Sequence, residues 1–250
     1  MLKIQRIGAM LPCETDVFEV SGARAFAFLP CSDVRKTPMP WVWYAPTFLD
    51  NNPGPENVPM FRRWLERGVA IAGIEVGESY GNPTGRAIFT AFHRHLTEKR
   101  DFARKVVLHP QSRGGLMLYN WAVEHPECIA ASVGVYTVCD IRSYPGAETA
   151  APAYGMTTEQ FEAVLAEHNP IDRVAPLAAQ NVPILHIHGD SDSLVPLEKN
   201  SAEFARRYRE LGGSMEVIVV PKKGHEAIPE YFEREELMAF GEREAMRRFH

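Results

Sequence analysis

Val106-Val107-Leu108-His109-Pro110-Gln111-Ser112-Arg113-Gly114-Gly115-Leu116-Met117-Leu118 decides how the rest of the chain is read. Its first residues suit a short apolar strand, and the run that opens on Gly114 and Gly115 suits an apolar helix. One serine stands in the turn between them. A strand that turns so sharply into a helix lifts the middle residue out at the strand's carboxyl end. It also aims the first backbone N–H groups of the helix at whatever binds there. Ser112 is therefore a candidate nucleophile. A lone serine in a glycine-rich turn is more often structural, so support has to come from elsewhere in the chain.

Working outward, Trp41–Tyr44 is an unbroken apolar run, as expected of a strand covered on both faces, and Val69–Val76 reads as a second buried strand. Ile129–Val138, Val182–Gly189 and Met215–Val220 are the later strand candidates. Helices are expected between them: Glu56–Arg67, with Val58, Phe61, Trp64 and Leu65 at helical spacing and Gly68 at its end, then Thr84–Arg100, the helix after Ser112, and Leu197–Leu211. Glu230–Phe249 closes the chain as a charged amphipathic helix. This alternation predicts a mostly parallel sheet with helices on both faces. Val17–Val20 and Ala23–Leu29, around Ser21-Gly22, predict an antiparallel start. Residues 139–181 carry no strand pattern and only one clear helix, near Thr158–His168, so they read as a small cap insert placed to set specificity. With no internal repeat, residues 1–250 read as a single domain.

A chain of 250 residues with 45% apolar and 24% charged residues has the composition of a soluble globular protein. A net charge of −5 gives no reason to expect nucleic-acid or membrane partners. Cys13, Cys31, Cys128 and Cys139 are widely spaced, which argues against a zinc site or a disulfide framework. Free thiols are favoured over a Cys13–Cys31 bridge. His186 and His188 share a strand face but lack a third ligand at matching spacing, so no metal is expected, and no cofactor. Met1–Met10 has no apolar core of signal-peptide length, and no apolar run reaches the roughly 18 residues that span a bilayer. The protein is expected to be soluble, and cytoplasmic or, if a signal was removed, secreted. The pattern is silent on oligomeric state.

A serine hydroxyl needs a base within reach and a third group to orient that base. In open α/β sheets, ligands gather beyond the carboxyl ends of the strands. Two stretches fall there: His188-Gly189-Asp190-Ser191-Asp192-Ser193-Leu194-Val195-Pro196, and Pro221-Lys222-Lys223-Gly224-His225-Glu226. Each follows a predicted strand.

These stretches, in this order, resemble the α/β-hydrolase superfamily. The first is similar to that family's nucleophile elbow, G-x-S-x-G, with Pro110 in place of the first glycine. The second is similar to H-G-x-x-D-x-x-V-P, and the third to the G-H segment that delivers a histidine. The resemblance implies an α/β-hydrolase fold with Ser112 as nucleophile, His225 as base and Asp192 as the orienting acid. Asp190 is then a turn-stabilising residue, and Asp140, after the preceding strand, a less favoured acid. It implies an oxyanion hole built in part from the Arg113 N–H. The second donor should come from the loop after Trp41–Tyr44, where Ala45-Pro46 stands for the His-Gly of many relatives. Pro46 has no N–H, which leaves Thr47 as first choice and Phe48 as second. Phe48, Glu78 and Tyr80 are candidate substrate contacts beside Ser79, and Arg86 is read as exposed or paired with Glu78 rather than as an anion grip.

The implied activity is hydrolysis of a carboxylic ester through an acyl-enzyme, on a small-molecule or carbohydrate ester. The Ser-Arg-Gly-Gly turn is also similar to that of dipeptidyl-peptidase and acylaminoacyl-peptidase catalytic domains, so a peptidase or amidase of the prolyl-oligopeptidase type is the alternative. The propeller domain those enzymes carry has no room in 250 residues. A non-catalytic binding protein on the same scaffold is the weakest reading.

Overall fold

In the computed structural model, which describes residues 2–247, the sheet starts as an antiparallel pair, β1 (Cys13–Val20) and β2 (Ala23–Pro30). Ser21 and Gly22, both at positive φ, form the two-residue turn whose twist suits the strands it joins. Six more strands follow: β3 (Trp41–Ala45), β4 (Ala70–Ile74), β5 (Val106–Pro110), β6 (Ile129–Val135), β7 (Ile184–Gly189) and β8 (Met215–Val220). The sheet order is β1-β2-β4-β3-β5-β6-β7-β8. β2 and β4 pair antiparallel, and every later neighbouring pair is parallel. This is the α/β-hydrolase fold.

The helices are α1 (Lys3–Gly8), α2 (Val58–Glu66), α3 (Pro83–Lys99), α4 (Gly114–Ala122), α5 (Ala147–Ala150), α6 (Thr158–Val164), α7 (Ala175–Ala179), α8 (Ser201–Glu210), α9 (Pro229–Phe232) and α10 (Glu235–Met246). Alternate residues of each central strand enter opposite cores, as strand geometry requires. Trp41 and Trp43 of β3 pack with Phe92 of α3, Trp121 of α4 and Phe204 of α8 in one core. Val42 and Tyr44 pack with Phe61 and Trp64 of α2 and Leu237 of α10 in the other. A third cluster joins Leu116 of α4 to Val138, Ile141, Phe161 and Leu165, which seats the 139–181 segment over the start of α4. No helix among the described residues is long and apolar enough to cross a membrane. The four cysteines are free thiols.

Several boundaries differ from the sequence expectation, each for a tertiary reason. α1 lies where none was expected; six residues are too few for a periodic signal, and Ile4 and Ile7 are buried. β6 stops at Val135 because Tyr136 turns to φ 34°, sending its N–H to Ile187 O at 2.8 Å. The helix expected over Leu197–Leu211 is interrupted at Asn200, whose Oδ1 takes the Cys139 N–H at 2.9 Å and whose Nδ2 donates to Pro196 O at 2.9 Å. The closing helix is two, α9 and α10, and the last residues expected in it, 248 and 249, lie outside the described residues, as does Met1.

Candidate active site

β5 delivers Ser112 at the centre of the sheet. The Gln111 N–H donates to Ala45 O at 2.9 Å and the Ser112 N–H to Val135 O at 3.0 Å, so the chain is tied to both neighbouring strands as it leaves the sheet. Ser112 then adopts φ 51°, a left-handed conformation that costs a non-glycine residue about 1–3 kcal/mol. The turn is held from outside: Ser112 O accepts the Val138 N–H at 2.9 Å and the Gly115 N–H at 3.0 Å. α4 starts directly against the strand ends. A Cβ on Gly114 would lie 2.0 Å from Ala45 O, and one on Gly115 would lie 2.2 Å from Val138 O. Only glycine fits that approach.

Ser112 Oγ lies 2.9 Å from His225 Nε2, and His225 Nδ1 lies 2.8 Å from Asp192 Oδ2. Asp192 is buried at the end of the β7 loop, where its Oδ1 accepts the Leu194 N–H at 3.0 Å and the Val195 N–H at 2.8 Å. Burial alone would raise its pKa, since it disfavours the charged form. Hydrogen bonds from His188, His225 and the Val195 N–H outweigh that and hold the carboxyl well below its ordinary range. An ionised carboxylate only accepts, so it keeps a proton on His225 Nδ1 and leaves Nε2 of the neutral ring to accept from the serine O–H. The His225 side chain is 18% exposed, and the Tyr136 ring packs 4.2 Å from it, centroid to centroid. Behind the histidine, Tyr231 donates to Gly224 O at 2.8 Å and steadies the loop.

The other two acids are occupied elsewhere. Asp190 Oδ1 accepts the Lys222 N–H at 2.6 Å and the Ser191 hydroxyl at 2.9 Å, joining the two loops at the surface. Asp140 accepts from Asn169 Nδ2 at 2.8 Å and pairs with Arg142 at 3.3 Å. Of the backbone donors, neither the Arg113 N–H nor the Thr47 N–H makes a hydrogen bond among the described residues, whereas the Phe48 N–H is taken by Asn52 O at 3.0 Å.

Around the mouth, Arg113 forms a two-pronged pair with Glu78, at 2.9 and 2.8 Å, and its guanidinium lies 5.4 Å from the Phe48 ring centroid. Phe48, Glu78 and Arg113 are thus brought together. Tyr80, at φ 45°, accepts the Tyr154 hydroxyl on its carbonyl at 2.9 Å and packs against the third cluster. Ser79 is buried. Arg86 corrects an expectation: it pairs with Glu124 at 3.1 Å and donates to Gly81 O at 2.6 Å, leaving Glu78 to Arg113.

A buried polar layer under the site had no signal of its own in the sequence. Tyr44 donates to Gln111 Oε1 at 2.8 Å, Asn57 Nδ2 reaches the same oxygen at 3.1 Å, and Gln111 Nε2 donates to Tyr136 OH at 2.9 Å. These residues sit in runs read as strand, helix and turn, and only their meeting beneath Ser112 makes them a unit.

Residues 89–241 match the prolyl oligopeptidase family. No curated protein matches the chain. Among solved structures, an acylaminoacyl peptidase from Pyrococcus horikoshii is similar with a TM-score of 0.71 at 15% identity, over 93% of this chain and 42% of the peptidase. Dipeptidyl peptidase 4 from Porphyromonas gingivalis gives 0.66 at 15% identity, over 86% of this chain and 32% of its own. Carboxyl esterase 2 from the mycorrhizal fungus Tuber melanosporum gives 0.69 at 14% identity, over 94% of this chain and 86% of the esterase. The chain thus spans well under half the length of those peptidases and most of the length of the esterase. Since the family match runs from within α3 into α10, more than half of the chain, the protein belongs to the prolyl oligopeptidase family of serine hydrolases on the α/β-hydrolase fold.

Proposed function

We propose that this protein cleaves a carboxylic ester of a small molecule or carbohydrate through an acyl-enzyme on Ser112. The observation that carries the reading is the unbroken line from Ser112 Oγ through His225 to Asp192, at 2.9 and 2.8 Å. Ser112 attacks the acyl carbonyl while His225 Nε2 takes the hydroxyl proton, and Asp192 stabilises the imidazolium that forms. The negative oxygen of the tetrahedral intermediate is received by the Arg113 and Thr47 N–H groups, the candidate donors that make no hydrogen bond among the described residues. Collapse expels the alcohol, which takes its proton from His225. Water then repeats the cycle on the acyl-enzyme and restores Ser112. Phe48, Glu78 and Tyr80 border the leaving group or acyl chain, with the 139–181 segment as a cap.

The second reading is a peptidase on the same residues, favoured by the family match. An amine leaves only once protonated, a task His225 performs from the same position. A series of p-nitrophenyl acyl esters and peptidyl p-nitroanilides, offered to the wild type and to Ser112→Ala, tests both. Ester turnover by the wild type and a loss of about 10^4-fold or more in the variant are expected. A preference for the anilides moves the assignment to the peptidase, and undiminished hydrolysis by Ser112→Ala removes Ser112 from the mechanism.

A further inference from the structure

Asp192 has a second histidine beside it. His188, four residues earlier and fully buried, places Nε2 3.4 Å from Asp192 Oδ2 and 2.8 Å from Val195 O. A carbonyl oxygen only accepts, so Nε2 carries the proton and shares it between the carbonyl and the carboxylate. His188 Nδ1 lies 2.9 Å from Ser201 Oγ, and the same hydroxyl lies 2.9 Å from His186 Nδ1. His186 Nε2 is 2.7 Å from Tyr119 OH, which is 2.8 Å from Ser132 Oγ. All five side chains are buried. Burial, and then the neighbouring His188, hold His186 down at about 3, so its ring is neutral at working pH.

With the His186 ring neutral and His188 Nδ1 accepting, one proton placement satisfies every pair. Ser132 donates to Tyr119, Tyr119 to His186 Nε2, His186 Nδ1 to Ser201, and Ser201 to His188 Nδ1. The chain therefore ends on the His188 Nε2–H, which meets Val195 O at 2.8 Å with Asp192 Oδ2 3.4 Å away. It runs from β6 through α4, the helix that follows the nucleophile, then β7 and the start of α8, to the acid.

We propose that His188 is a positioning residue: its Nε2–H, shared by Val195 O and Asp192 Oδ2, limits how strongly that oxygen holds His225, and the chain behind it fixes the ring in this orientation. The proposal rests on the reading of Ser112, His225 and Asp192 given above. A donor on Oδ2 draws off part of the carboxylate's charge. Without it, Oδ2 serves the His225 Nδ1–H alone, the imidazolium is favoured, and His225 becomes available as a base only at higher pH. Tyr136 and Tyr231 also face Asp192, but burial raises both, so neither titrates on the acid side. The remaining charged groups of these loops, Asp190, Lys222, Lys223 and Glu226, are the same in wild type and variants.

The test is the pH profile of kcat/KM on a p-nitrophenyl ester for the full chain, its His188→Phe variant and its Ser201→Ala variant. Thermal midpoints and fluorophosphonate labelling identify which variants are folded. His188→Phe is expected to move the acid limb upward by about half a pH unit, which is about threefold in kcat/KM at the acid end, with KM unchanged. Ser201→Ala leaves the imidazole in place but frees its orientation, and should shift the limb the same way by less. An unchanged or downward-moving limb in folded His188→Phe overturns the proposal; if that variant does not fold, the same result in Ser201→Ala does. Failure of the underlying reading is distinguishable, because it leaves Ser112→Ala active.

Discussion

Asp190 and Asp192 stand two residues apart in one loop and have opposite surroundings. Asp192 is buried, bonded by His225 and by two backbone N–H groups, while Asp190 stays at the surface and accepts from Lys222 and Ser191. Changing Asp192 to Asn replaces an acceptor-only group with one that can donate, so His225 loses the reason to keep its proton on Nδ1. Asp192→Asn should therefore lower kcat by about 10^4-fold, and Asp190→Asn by less than about threefold, measured on the same ester; the reverse order would transfer the role to Asp190. The structure brings together the serine, acid and base that the family resemblance implied, each just past a strand. Arg86 could not be placed that way. It lies eight positions after Glu78, but the first turn of α3 carries it toward Glu124 at the far end of α4. His188 read as a strand or turn residue, since its contacts depend on Ser201 meeting it from α8.

At the level of elements, the strands were legible because a covered strand is apolar along its whole length, and the breaks were not. Asn200 interrupts a good helical pattern to bond the Cys139 N–H, and Tyr136 ends an apolar run by turning to positive φ. Both depend on partners far away in the chain. Pro110 replaces the small residue usual before the turn, and β5 accommodates it as the last residue of the strand, opposite Ala45. The contact that cannot yield is the seat of α4. Gly114→Ala would bring a methyl group against the Ala45 carbonyl and push α4, with Ser112, away from β3. A loss of about 2 kcal/mol or more in urea unfolding is expected, with kcat falling further than the stability change accounts for. Unaltered unfolding and activity would show that the helix start can shift freely.

For the molecule as a whole, buried neutral histidines set a pH limit on folding. Burial lowers His109 from 6.5 to about 4 and His186 from 6.5 to about 3. As pH falls through 6.5 the unfolded chain takes up protons at both positions and the folded chain does not. Their contribution is therefore complete above about pH 6.5, declines as pH falls, and is exhausted near pH 3, a combined change on the order of 8 kcal/mol. Thermal midpoints should drop steeply over that interval, and His109→Phe should flatten the drop while costing some stability at neutral pH through the orphaned Val133 carbonyl. An identical slope in the variant would assign the acid sensitivity to other groups.

The line Ser112–His225–Asp192 joins positions 113 and 33 residues apart in the chain. Contacts of such long range form late, after the loops between them have lost their freedom. In a chain emerging from synthesis, residues 106–138, which carry Ser112 and tie down its turn, precede His225 by 87 residues or more. If Ser112 is the nucleophile, its activation by His225 then waits on the docking of the segment that follows β8.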